Sequence, residues 1–288
     1  MKIEAKDIEF SYKALPVLLG LNFSAGSGDV VAVLGPNGVG KSTLFRCLLG
    51  FLTPQRGDIF IDDRDIRAMN RAEIARHIAY IPQSVSPVFN YTVQDTVLMG
   101  LTNSLGMFQS PGQREIEKSF ATLDSLGIAH LRHRGCGQIS GGERQLALLA
   151  RALIQDAGIL VMDEPTANLD YGNSWRVMER IVSLASGGYT VIFSTHDPNQ
   201  VFSHANKVLV MHDGNVLAFG PPSEVLSEEL LSRIYNINVK VRKVPFDGGG
   251  VFVSLRGGKG HETRNSEFGI EDEVTRFAGT YFLSRDRK

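Results

Sequence analysis

The segment Gly35-Pro36-Asn37-Gly38-Val39-Gly40-Lys41-Ser42 constrains this chain more than any other. It fits the pattern G-x-x-x-x-G-K-[ST] at every fixed position. Before it lies an apolar run, Val30-Val31-Ala32-Val33-Leu34, that reads as a buried strand; after it, a helical stretch runs from Lys41 to Leu49 and is closed by Gly50. Strand, glycine-rich turn and helix in immediate succession make a phosphate cradle. The glycines let successive backbone N–H groups face one anion, and the helix N-terminus adds roughly half a positive charge. Lys41 then reaches the terminal phosphates of a nucleotide, and the Ser42 hydroxyl can ligate Mg²⁺.

Such a cradle needs a metal-side carboxylate at the end of another buried strand. Ile159-Leu160-Val161-Met162-Asp163-Glu164 supplies one. Asp163 suits Mg²⁺, directly or through water, and Glu164 suits the place where an attacking water must sit. Between the two halves, Ile139-Ser140-Gly141-Gly142-Glu143 is a second Ser/Gly turn at a helix start, hence a second anion site by the same argument. The helix after it is amphipathic, with Leu146, Leu149, Ala150 and Leu153 on one side. Short apolar runs alternate with helix-period segments along the chain, which predicts an α/β fold with a mostly parallel sheet.

Composition sets the class. The 288 residues are 43% hydrophobic and 21% charged, enough to bury one large domain, or a domain plus an appendage. Lys and Arg number 30 against 31 Asp and Glu, a net charge of -1, which lacks the basic excess of a protein that neutralises nucleic-acid phosphates. No nucleic-acid partner is expected. Cys47 and Cys136 are too few for a disulfide scaffold or a four-ligand zinc site, and are expected as buried thiols in a reducing compartment. The charged start, Met1 to Asp7, lacks the apolar stretch of a signal peptide, and no run of about 18 apolar residues provides a membrane span.

With these motifs in place, the chain resembles an ATP-binding cassette ATPase. Ile139 to Glu143 resembles the signature motif, with Ile for the commoner first Leu and Glu for the commoner Gln. Phe10-Ser11-Tyr12 resembles the A-loop, whose aromatic stacks on adenine, and Ile81-Pro82-Gln83 the Q-loop. Ala167-Asn168-Leu169-Asp170 resembles the D-loop, and Ser194-Thr195-His196, after the strand Val191 to Phe193, the switch histidine. The resemblance implies a P-loop NTPase core with an antiparallel N-terminal β subdomain and a helical subdomain inserted at about residues 84–156. It also implies a head-to-tail homodimer, in which the P-loop of one subunit (Gly35 to Ser42, with Thr43) and Ser140, Gly141, Gly142 and Glu143 of the other close on one ATP, with Asp170 nearby. Glu164 would polarise the water, His196 contact the γ-phosphate, and Gln83 couple Mg²⁺ to the helical subdomain. Ser42, Gln83 and Asp163 would serve the metal.

Finer wording narrows the branch. Ala79 to Gln83, Tyr91 to Gly100, Gly141 to Leu146, Asn168 to Asn173, Thr195 to Asn199 and Tyr235 to Val239 resemble the ATPases of iron-chelate, haem, cobalamin and molybdate importers. Leu101 departs from that branch, where Arg often follows the Met-Gly. The implied partners are two polytopic permease subunits and, indirectly, a substrate-binding protein, which would hold the chain peripherally at the cytoplasmic face of the membrane. Exporter ATPases and a soluble ATPase of Fe–S assembly share the common motifs and stay open as alternatives. The cassette is expected over residues 1–235 and an extension over 236–288. In the extension, Val239 to Arg242 and Val251 to Leu255 read as two strands about a glycine turn, before a polar tail with a short helix near Glu271 to Phe277.

Overall fold

Five consecutive apolar residues, Val30–Leu34, form a strand in which every residue is buried. The computed structural model describes residues 1–83, 91–103, 110–244 and 250–255. That strand, β3, is preceded by β1 (Ile3–Tyr12) and β2 (Leu15–Ala25), and followed by α1 (Lys41–Leu48), β4 (Arg56–Ile61), β5 (Arg64–Asp65), α2 (Arg71–His77) and β6 (Ile78–Ile81). Three helices come next, α3 (Val93–Leu98), α4 (Gln113–Ser125) and α5 (Gly141–Leu153), ahead of β7 (Ile159–Met162). The chain then alternates through α6 (Tyr171–Ser186), β8 (Thr190–Thr195), α7 (Pro198–His204), β9 (Lys207–His212) and β10 (Asn215–Gly220). Helices α8 (Pro222–Val225) and α9 (Glu228–Tyr235) lead to β11 (Val239–Val244) and β12 (Gly250–Leu255).

The main sheet has the order β10-β9-β3-β8-β7-β6. It is parallel from β9 to β6, with β10 antiparallel at the edge. Its central strands are apolar throughout because both faces are covered. Along β3 the alternation of side chains divides the core: Val31 and Val33 join α1 and the strands β1 and β4 in one cluster, while Val30, Ala32 and Leu34 join α5, β7 and α6 in the other. A second, antiparallel sheet has the order β2-β1-β4-β5. Parallel pairing is the decisive feature for function, since it brings the C-terminal ends of β3, β8, β7 and β6 to one edge.

Helices α3, α4 and α5 pack on one another, and α5 also meets β6 and α6. The apolar face expected for α5 packs on one core cluster and is wider than the four residues that marked it in the sequence. Ala147 and Leu148 are buried along with Leu149, Ala150 and Leu153, while Leu146 is only partly so, because α5 is enclosed between the inserted helices and the sheet. Residues 84–90 and 104–109 of the expected helical subdomain lie outside the described residues. Cys47 and Cys136 are free and buried, and burial pushes the Cys47 thiol up to about 12. A compact unit spans Met1–Ser254. Strands β11 and β12 pair with each other, and Glu228 of α9 accepts from Val241 N–H at 3.0 Å and from Lys240 Nζ at 2.9 Å. The centre of the glycine turn at 245–249 and the helix expected near Glu271 to Phe277 lie outside the described residues.

Candidate active site

The turn after β3 can exist only with glycine at its end. Gly40, the N-cap of α1, has φ 108°, in the left-handed region that L side chains rarely adopt, and a Cβ there would stand 3.0 Å from the Val17 carbonyl. The N-terminus of α1 opens onto a cavity of about 420 Å³ lined by Tyr12, Val17, Asn37, Gly38, Gly40 to Thr43, Gln83, Asp163 and Glu164, whereas Gly35, Pro36 and Val39 of the expected cradle are not part of its lining. That volume suits a nucleotide-sized ligand. Lys41 is only 6% exposed, and its Nζ donates to the carbonyls of Gly35 at 2.6 Å and Pro36 at 3.0 Å. Burial lowers its pKa, and the charges of Glu164 and Asp163 oppose that shift. A cation held this way is ready for an anion.

At the end of β7, Asp163 is 8% exposed and both of its oxygens are used. Ser42 Oγ donates to Oδ2 at 2.8 Å and Ser194 Oγ donates to Oδ1 at 2.6 Å. Hydroxyl and carboxylate oxygens of this kind suit Mg²⁺, and the 2.8 Å separation matches the roughly 2.9 Å between adjacent ligands of an octahedral ion at 2.0–2.1 Å. Among the described residues no group of three or more His, Cys, Asp or Glu side chains could hold an ion, so a metal here would draw its other ligands from Gln83, which also lines the cavity, and from phosphate and water.

Glu164 is the hub of the remaining contacts. Its backbone is left-handed at φ 44°, unusual for a residue with a side chain, and its N–H donates to Ser194 Oγ at 2.9 Å. Gln83 Nε2 donates to Oε2 at 3.1 Å, His196 Nδ1 lies 3.3 Å from Oε1, and Lys41 Nζ lies 4.0 Å from the same oxygen. Residues 83, 164 and 196 thus meet on one carboxylate because β6, β7 and β8 are consecutive neighbours in the sheet. Tyr12 ends β1 with its ring partly exposed, held edge-on by Phe10 at 4.9 Å and by Arg46, whose guanidinium donates to its hydroxyl at 3.2 Å.

The second glycine turn is elsewhere. Ser140, Gly141, Gly142 and Glu143 do not line the cavity, and neither does Asp170. Ser140 caps α5: its hydroxyl accepts from Glu143 N–H at 3.3 Å, and Glu143 accepts from Ser140 N–H at 2.8 Å. That hydrogen bond holds the Glu143 carboxyl below its usual range. Asp170 caps α6, accepting from the Asn173 backbone at 2.9 Å and its side-chain amide at 2.6 Å. Asn173 in turn packs on Gly142, where a Cβ would meet it at 2.8 Å, so only glycine lets the two helix starts approach. Within one chain, then, the nucleotide-side residues converge and the signature turn stays apart, largely exposed at Ser140 and Gly141.

Ser194 enters the sequence argument only as part of the motif Ser194-Thr195-His196, whereas its hydroxyl joins Asp163 and the Glu164 backbone in the structure. The signal was available: a serine inside the apolar strand Thr190–Thr195, fully buried, must find hydrogen-bond partners. Arg46 and Val17 had no such signal, since neither differs from an ordinary surface or core residue.

The family described as ABC transporter matches residues 18–167. The molybdate import ATP-binding protein MolC of Haemophilus influenzae is 37% identical over 237 residues, covering 82% of this chain and 88% of that protein. The hemin import ATP-binding protein HmuV of Bradyrhizobium diazoefficiens is 34% identical over 250 residues, covering 84% and 91%. Among solved structures, a chain of a metal-chelate type ABC transporter in an inward-facing conformation superposes with a TM-score of 0.80 at 33% identity, covering 88% of this chain and 97% of that one.

Proposed function

Because this chain belongs to the ABC transporter family, whose ATP-binding subunits hydrolyse ATP to drive transport, we propose that it powers a metal-chelate importer by hydrolysing ATP between two copies of itself. The observation that carries the catalytic part is the convergence of Lys41, Gln83 and His196 on the Glu164 carboxylate, beside the Ser42–Asp163 pair. The adenine stacks on Tyr12, and the phosphates lie along the N–H groups of Gly35 to Thr43. Ser42, Asp163 and Gln83 would hold Mg²⁺, which would neutralise phosphate charge when bound.

Catalysis follows from placement. Glu164 accepts a proton from the attacking water, and Lys41 and His196 stabilise charge developing on the transferred phosphoryl group. Ser140 and Gly142, exposed or apart from the cavity in their own chain, meet the γ-phosphate held by a second copy, with Asp170 at the same junction. Closing and opening of that head-to-tail dimer is the power stroke delivered to two permease subunits.

No helix among the described residues is long and apolar enough to cross a membrane, which supports a peripheral position at the cytoplasmic face, held by the permease. Iron(III) chelate is the favoured cargo and haem or cobalamin the next; the molybdate relative keeps molybdate open as the alternative. Reconstitution with its permease and binding protein decides between them. Stimulation of ATP hydrolysis by a ferric chelate supports the reading, stimulation by molybdate alone moves the cargo, and a stable soluble partner without any permease removes the importer.

A further inference from the structure

His196 stands in an unusual position for a residue that must meet a phosphate accurately. Its side chain is 59% exposed, so its placement rests on the backbone between β8 and α7 rather than on packing of the ring. On one side that backbone is fixed locally: Asp197 N–H donates to Thr195 Oγ1 at 3.1 Å, and the Asp197 carboxylate caps α7 through Asn199 N–H at 2.9 Å. The His196 carbonyl lies outside the helix. Its donor comes from 39 residues away, the Tyr235 hydroxyl, at 2.8 Å.

Tyr235 is itself well anchored. It ends α9, whose Leu231 and Ile234 are buried in the core cluster and whose start is capped by Ser227 Oγ, accepting from Leu230 N–H at 3.1 Å. Asn236 then takes the left-handed conformation at φ 53°, and the returning chain is tied back by Val239 N–H to Ser232 Oγ at 3.2 Å and by the two Glu228 contacts of β11. The tyrosine ring packs on the core, and burial raises the pKa of its hydroxyl, which stays a donor at any working pH. The contacts form one line, from β11 through α9 and Tyr235 to His196, and from its ring to Glu164.

We propose that Tyr235 is a positioning residue for the switch histidine: its hydroxyl holds the His196 backbone so that the ring points at Glu164 and the γ-phosphate. The proposal rests on the reading of His196 given above. Because a net hydrogen bond between uncharged groups changes an equilibrium by about 2- to 10-fold, Tyr235→Phe should lower kcat by that factor. ATP affinity should be unchanged, since the Tyr235 hydroxyl bonds the His196 carbonyl and neither residue lines the nucleotide cavity.

The test is steady-state ATP hydrolysis by the full chain with Mg²⁺, for the wild type, Tyr235→Phe, His196→Ala and the double variant, with thermal unfolding and ATP binding measured alongside. Reduced kcat in Tyr235→Phe at unaltered ATP affinity, with no further loss when the change is made in His196→Ala, supports the assignment. An equal fold-loss in both backgrounds makes Tyr235 a merely structural residue and overturns it, as does a Tyr235→Phe protein at the wild-type rate while His196→Ala is stalled. A His196→Ala protein at the wild-type rate removes the role of His196 itself, and the proposal with it.

Discussion

The Ser42 hydroxyl donates to the Asp163 carboxylate at 2.8 Å across 121 residues of sequence. One group opens α1 and the other ends β7, two strands away from β3 in the sheet. The oxygens proposed to share the metal are thus already in contact, and Ser194 secures the carboxylate from its other side. Little reorganisation is needed when nucleotide arrives, which is how preorganised sites lower barriers.

Glu164 is the proposed general base in this arrangement. Glu164→Gln keeps the shape and one acceptor oxygen but cannot take a proton. Losing a general base costs about 10²- to 10⁴-fold in rate. ATP binding should persist while turnover falls by that factor, and a variant that hydrolyses ATP at the normal rate would remove Glu164 from the role.

Ser194→Ala should be felt twice. It leaves Asp163 Oδ1 and the Glu164 N–H short of a partner in a fully buried place, at a cost of about 1–3 kcal/mol. At roughly 2–4 °C per kcal/mol for a domain of this size, the melting temperature should fall by about 2–12 °C. Since the left-handed Glu164 backbone loses its acceptor, kcat should fall too; unchanged kcat beside a lowered melting temperature would limit Ser194 to stability.

Tyr12 separates stacking from hydrogen bonding. Base–aromatic stacking contributes about 1–3 kcal/mol. Tyr12→Ala should therefore weaken ATP binding by about 5- to 150-fold, whereas Tyr12→Phe, which loses only the Arg46 contact, should bind almost normally. Titration of the three proteins with ATP measures this, and equal binding by Ala and wild type would place the adenine elsewhere.

His204 gives the fold a pH dependence. Its ring lies edge-on to Trp175 at 4.7 Å, its Nδ1 bonds the Gln200 carbonyl at 3.2 Å, and its Nε2 is buried with no hydrogen-bond partner among the described residues. Burial holds its pKa below the usual 6.5, against smaller opposing effects from the Gln200 carbonyl, Glu179 and Asp197. In the window between the lowered folded value and 6.5, the unfolded chain binds more protons than the folded one, so stability rises with pH there and is lost on acidification. Urea midpoints from pH 7.5 to 5.5 should fall more steeply for the wild type than for His204→Gln; parallel slopes would clear His204 of the effect.

Much of this was legible in the sequence because it is local. Gly40 and Lys41 are neighbours in the chain, and a strand, a left-handed glycine and a helix start follow from side-chain size and backbone sterics alone. The acidic end of β7 and the Ser/Gly turn that opens α5 are equally short-range. Motif order then identified the family and, through it, the residues expected to meet.

How they meet was a matter for the tertiary structure. Gln83, Glu164 and His196 share one carboxylate only because β6, β7 and β8 pair side by side in register, and no local propensity specifies strand order. The left-handed backbone of Glu164, the buried double role of Ser194 and the packing of Gly142 on Asn173 likewise depend on atoms far away in the chain. Sequence determined which groups are present and which turns they occupy. Long-range hydrogen bonding and close packing decided which of them touch.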